Sequence, residues 1–197
     1  YLSSHYEFYR RVYDLSGNVD SCNMTVTVFD DQPPSIICPE DVTDYADADT
    51  CATWVDIPIP ATGGNCGTDS LYNDYSYSDD ASDIYPGGTT YVNWYVVDEN
   101  GNSMSCQMQV IVIDTIPPVI NAPDTISAFT SQSACSGWVD IPIPEYDDNC
   151  EVSVFYNYYT GTDDASGEYN AGYTDVVWIA MDPSNNTVQR GRHALPQ

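Results

Sequence analysis

Seven cysteines and a large excess of carboxylates are the side chains here with chemistry to offer. Cys38, Cys51, Cys66 and Cys106 stand 13, 15 and 40 residues apart, Cys135 and Cys150 stand 15 apart, and Cys22 is alone. No pair has C-x-x-C spacing, which argues against a zinc ribbon or a dithiol oxidoreductase and for structural disulfides in an oxidising compartment. The carboxylates suit another task. Asp79-Asp80 and Asp163-Asp164, with Asp30, Asp98 and Asp114, present the hard oxygen ligands that calcium takes, so calcium is the cofactor candidate. The competing explanation is turn formation, because Asp and Asn hydrogen-bond their own backbone in tight loops. Catalysis finds little support. His5 and His193 share no motif with a nucleophile, and G-x-S-x-G, phosphate-cradling loops and H-E-x-x-H are absent. Carboxylate pairs abound, but none is singled out as the acid and nucleophile of a glycosidase. The expectation is a protein that is not an enzyme.

The charge narrows the partners. The formal net charge is −26, there is no lysine, and the four arginines (Arg10, Arg11, Arg190, Arg192) sit at the two ends. Nucleic acid needs cationic side chains and is excluded as a partner. No run of 18 apolar residues is present, so direct membrane insertion is not expected, and the absence of a leader before Tyr1 points to a mature, soluble, extracellular or cell-surface chain.

The elements that must position these groups follow from an internal repeat. Cys51 recurs as Cys135, Cys66 as Cys150, Trp94 as Trp178 and Asp98 as Asp182, an offset of 84 residues that needs no gap. W-V-D-I-P-I-P at 54–60 returns letter for letter at 138–144. The same offset links Asp98 back to Asp14, Cys106 to Cys22 and Asp114 to Asp30. The repeat divides the chain into a partial module (1–30), a complete module (31–115) and a third (116–197) that lacks a proper final strand. Within a module almost every segment has strand character. Tyr91 to Val97 is aromatic and β-branched, Met104 to Ile113 alternates, and Asp98-Glu99-Asn100-Gly101-Asn102 between them is a hairpin loop. Many short strands with turns every 8 to 12 residues predict an all-β fold of tandem β-sandwiches.

The order P-P-x-I-x-C-P (Pro33 to Pro39), lone Cys51, N-C-G (Asn65 to Gly67) and Y-P-x-G-T-T-x-V-x-W-x-V-x-D-x-N-G-N-x-x-S-C (Tyr85 to Cys106) resembles the hyalin repeat, or HYR module. The resemblance implies an immunoglobulin-like sandwich used in adhesion or matrix building. The third module departs from it, with Ala122 in place of the first cysteine and Arg190 in place of the last. If first and fourth cysteines pair, their joint loss leaves no orphan. On that ground Cys38 is expected to pair with Cys106, Cys51 with Cys66, and Cys135 with Cys150, leaving Cys22 free or bonded to another chain.

The two ends suggest assembly. Cys22, Met24, Val26 and Val28 have the phase of the core-facing Cys106, Met108, Val110 and Val112, whereas the tail offers Arg190, Arg192, Ala194 and Pro196. Charges and a proline do not fill a core slot. Residues near 19–29 are therefore expected to complete the third module of a neighbouring copy beside Val176, Trp178 and Ala180, building a head-to-tail, pilus-like filament by donor-strand complementation. The alternatives are a window on a longer tandem array, or a monomeric adhesin or receptor fragment binding a glycan or protein. Asn23-Met24-Thr25 and Asn185-Asn186-Thr187 are candidate N-glycosylation sites.

Overall fold

The computed structural model describes residues 4–191, and all the regular elements within them are β-strands. His193 and the tail from Arg192 onward lie outside the described residues. The first two strands, β1 (Ser4–Tyr13) and β2 (Val19–Val28), form an antiparallel hairpin. Asp14 closes its turn by accepting the backbone N–H of Ser16 (2.9 Å) and Asn18 (2.8 Å), and Gly17 supplies the positive φ of 85°. The turn at Asp98 is built identically. It accepts the N–H of Asn100 and Asn102 at 2.9 Å each, with Gly101 at φ 86°. At Asp182 the same position falls to Asn185, at φ 69°, since asparagine tolerates the left-handed region that the turn demands.

The central module comprises β3 (Ser35–Ile37), β4 (Val42–Tyr45), β5 (Ala52–Val55), β6 (Ala61–Gly63), β7 (Ser70–Asn73), β8 (Asp83–Pro86), β9 (Gly88–Val97) and β10 (Ser103–Ile113). One sheet has the order β4-β10-β9-β7, and β3 pairs with β6 and β5 with β8, the all-β arrangement that the strand spacing predicts and of the immunoglobulin-like class that the resemblance implies. The long hairpin alternates strictly. Val92, Trp94 and Val96 on β9, and Met108, Val110 and Val112 on β10, are buried while their neighbours are not. Each such side chain contributes roughly 1.5–3 kcal/mol through burial. Packing divides the chain into two compact units, one of residues 1–42, 55–83 and 90–110, the other of 43–54, 84–89 and 111–197. The division runs through the long strands of the central module rather than along the repeat boundaries at 30 and 115.

The third module repeats the strands almost residue for residue: β11 (Val119–Asn121) with β13 (Glu145–Asp147), β12 (Ser136–Val139) with β15 (Gly167–Asn170), and β14 (Val154–Asn157) with β16 (Trp178–Met181) and β17 (Thr187–Arg190). The expectation that it lacks a final strand is corrected here. β17 pairs along β16, Ala180 opposite Val188 and Trp178 opposite Arg190, and Val188 packs on a core of Ile120, Ala165, Trp178 and Ala180. What has changed is length: four residues against the eleven of β10. The strand ends at Arg190, where β10 continues through Cys106 and Met108 into apolar sequence. Residues 126–129, equivalent to β4, form no strand.

Candidate metal centre

Asp114 follows β10, Asp148 follows β13, and Asp182 opens the β16–β17 turn. Their carboxylate oxygens converge to within 4.8 Å of one another. Asp114 and Asp182 are only 5% and 1% exposed. Each carboxylate is oriented from one side. Asp114 Oδ1 accepts the backbone N–H of Ile116 (3.1 Å) and the Asn149 amide (3.2 Å). Asp182 accepts the backbone N–H and side-chain amide of Asn186 at 2.8 and 2.7 Å, and that amide also donates to the carbonyl of Asp114 (3.1 Å). Asp148 Oδ2 caps the N–H of Cys150 (3.1 Å) and Glu151 (3.3 Å).

The other faces are unsatisfied. Asp114 Oδ2, Asp148 Oδ1 and Asn149 Oδ1 are buried and accept no hydrogen bond. Buried oxygens of this kind are costly unless paired. Two like charges 4.8 Å apart repel by roughly 3–4 kcal/mol at an effective dielectric near 20. No Lys or Arg occurs between residues 12 and 189 to offset them. An all-oxygen donor set with unused lone pairs fits a hard divalent cation, and calcium, with its six to eight oxygen ligands and tolerant geometry, fits better than magnesium. A shallow groove lined by Asp49, Ile116, Val119, Asp147 and Asp148 reaches the cluster.

The repeat places Asp30, Gly64 and Asp98 at the equivalent positions of the preceding module. There the carboxylate is satisfied without a metal. Asp30 accepts the side-chain amides of Asn65 (2.9 Å), Asn100 (3.2 Å) and Asn102 (3.5 Å). Its carboxyl is held below the usual range, chiefly by the Asn65 amide and then by the Cys66 thiol, which donates to it. Asp30 and Asp98 therefore form no such cluster: amides occupy Asp30 and Gly64 offers no third carboxylate, whereas Asp98 itself is held as Asp182 is, by the backbone N–H and side-chain amide of one asparagine. Asp79, Asp80, Asp163 and Asp164 are not part of the cluster, and Asp80 and Asp164 have another role. Asp80 and Asp164 accept the backbone N–H of Ser82 (2.9 Å) and Ser166 (2.8 Å), which lowers both carboxyls, and their own carbonyls bind hydroxyls of the preceding loop. They close turns. Asp114 alone among the expected ligands belongs to the cluster, joined by Asp182 and by Asp148. Sequence reasoning missed Asp148 because it followed what the repeat conserves. The signal lay in what the repeat changes, Gly63-Gly64 becoming Asp147-Asp148.

The cysteines also depart from expectation. Cys38 and Cys106 are bonded, closing a 68-residue separation worth about 4 kcal/mol by the chain-entropy argument. Cys51, however, is bonded to Cys150, leaving Cys66 and Cys135 as free thiols, so the expected 51–66 and 135–150 pairs are both corrected. The reason is local. Cys66 is turned to the Asp30 carboxylate, whereas Cys51 lies against Gly87, where an added Cβ would come 2.8 Å from its sulfur and 3.8 Å from that of Cys150. Cys22 is free and exposed, and Met24, Val26 and Val28 beside it are exposed on the β1–β2 hairpin. On the expected acceptor side, Trp178 and Ala180 are buried and Val176 is half-buried. Asn23 and Asn185 are both exposed.

Comparison with known proteins agrees with this picture at the level of the module. Hyalin of Lytechinus variegatus is 29% identical over 180 residues, covering 88% of this chain and 33% of the hyalin. A sushi, von Willebrand factor type A, EGF and pentraxin domain-containing protein of Rattus norvegicus is 26% identical over 175 residues, 87% of this chain and 5% of that protein. The chain thus spans a third or less of these relatives. Among solved structures, extracellular cadherin domains 1–4 of protocadherin gamma B7 superpose with a TM-score of 0.41 at 12% identity, covering 96% of this chain and 56% of that one. The disulfides suit the oxidising exterior, and the chain is an extracellular or cell-surface protein. Residues 29–112, one repeat length, match the HYR domain, so the chain contains an HYR module.

Proposed function

We propose that the chain is a structural element of an extracellular adhesive or matrix array rather than an enzyme, and that calcium held by Asp114, Asp148 and Asp182 stiffens it. The observation that carries this reading is the convergence of the Asp114, Asp148 and Asp182 carboxylates to within 4.8 Å, together with buried, unpartnered oxygens on Asp114, Asp148 and the adjacent Asn149. The cluster ties the end of β10 to the loop after β13 and to the β16–β17 turn. A cation there removes freedom among these three segments, and a stiffer module suits an array that bears load. Melting followed in calcium and in chelator at constant ionic strength tests it. Calcium at a hundred times its dissociation constant should add about 2.7 kcal/mol, raising the melting temperature by roughly 5–10 °C. Asp148→Asn should abolish that rise. Indifference of the native chain to calcium, or an unchanged rise in the variant, would refute the site.

Head-to-tail association of copies by donor-strand complementation is a second reading, favoured by the exposed apolar face of Met24, Val26 and Val28 on β2. It is constrained by β17, which already lies along Trp178–Met181, so a donated strand must displace that short strand or continue beyond Arg190. A monomeric adhesin that binds a glycan or protein predicts compact monomers instead.

A further inference from the structure

The bond between Cys51 and Cys150 joins two different positions of the repeat. Cys51 is equivalent to the free Cys135, and Cys150 to the free Cys66. The local frames agree as well. The carbonyl of Cys51 accepts the N–H of Gly87 (2.7 Å), and that of Cys135 accepts the N–H of Ala171, the Gly87 equivalent (2.8 Å). Beside Cys150, the Asn149 amide donates to Asp114 (3.2 Å); beside Cys66, the Asn65 amide donates to Asp30 (2.9 Å). Each free thiol therefore sits in the backbone setting of one half of an existing disulfide, and the two halves are complementary.

We propose that Cys135 of one copy bonds to Cys66 of a second copy, repeating the Cys51–Cys150 link and extending the chain covalently head to tail. The inference rests on the array reading above but not on its cation. Two thiols lose two protons and two electrons as the sulfur–sulfur bond forms. The oxidant is a low-molecular-weight disulfide, which is cleaved to two thiols by exchange. The association is heterologous, using different surfaces of the two copies, and so does not close on itself unless a ring forms. One difference between the frames bears on rate. Ala171 stands where Gly87 admits the Cys51 sulfur, so the Cys135 sulfur must take another rotamer to avoid the methyl.

The test uses the full chain carrying Cys22→Ser, prepared once unlabelled and once with nitrogen-15, mixed and oxidised with glutathione disulfide in calcium and in chelator. The expected result is a ladder on non-reducing gels and a mixed-isotope peptide joining Cys135 to Cys66. Cys66→Ser and Cys135→Ser should each remain monomeric alone and yield dimers and nothing larger when mixed, and Ala171→Gly should form the ladder faster. Recovery of Cys51–Cys150 in each variant checks that it has folded. Recovery of Cys51–Cys66 with Cys135–Cys150, of Cys135–Cys135, or of a single-isotope Cys66–Cys135 bond would overturn the proposal. Because melting in calcium is read separately, loss of the covalent link leaves the cation site standing or falling by its own measurement.

Discussion

Asp30 and Asp114 occupy the same point of the repeat and meet opposite surroundings. Around Asp30, three amides and a thiol donate into the carboxylate; around Asp114, two more carboxylates approach and one oxygen is left without a donor. The Cys66 thiol feels the first arrangement directly. Its pKa is raised, first by donating to Asp30, then by burial and by the charges of Asp30, Asp98 and Glu99. Asp30→Asn should therefore lower the pH at which iodoacetamide alkylates Cys66. An unchanged profile would remove the hydrogen bond from the account. The sign for stability follows from Asp30 itself. Its folded pKa is depressed below 3.8, so its contribution is present above that value and is lost as pH falls through the folded pKa.

At the scale of elements, the pairing of β9 with β10 and of β16 with β17 shows how side chains set strand length. Both hairpins start from the same Asp-closed turn, but β10 runs eleven residues and β17 four. Where β10 presents Cys106 and Met108 to the core, the third module has Arg190 and the sequence beyond it. Val188 is the apolar residue that fixes β17 to the core beside Trp178 and Ala180. Val188→Asp should destabilise the third module by about 2–4 kcal/mol, the cost of an unpaired charge in an apolar setting, as measured by denaturant melts. A loss below about 0.5 kcal/mol, the size of an ordinary surface effect, would mean that β17 is not part of the core. The strands and their inward faces were legible beforehand. Periodicity of two and a repeated turn motif are local properties, and they survive in Val92, Trp94, Val96, Met108, Val110 and Val112. The persistence of a last strand in the third module was not legible, because the packing of Val188 on the core outweighs an unfavourable pattern further along.

At the scale of the whole molecule, the net charge of −26 opposes any close array, and the covalent and ionic links proposed above would act against that repulsion. The exposed hairpin face gives the donor-strand reading its own test. Val26→Asp should leave the melting of the isolated chain within about 0.5 kcal/mol, since Val26 is exposed, yet abolish filaments in electron micrographs. Filaments that persist in the variant, or in a chain lacking residues 1–30, would exclude that mechanism. The sequence by itself determined the all-β architecture, the repeat and the oxidising compartment, because each rests on local patterning or composition. Only the tertiary structure decided which carboxylates converge and which cysteines meet. Asp148 lies 34 residues from both Asp114 and Asp182, and Cys150 lies 99 from Cys51. Such partners are set by where the loops lie between the strands, and a repeat that pairs equivalent positions conceals a bond made between unlike ones.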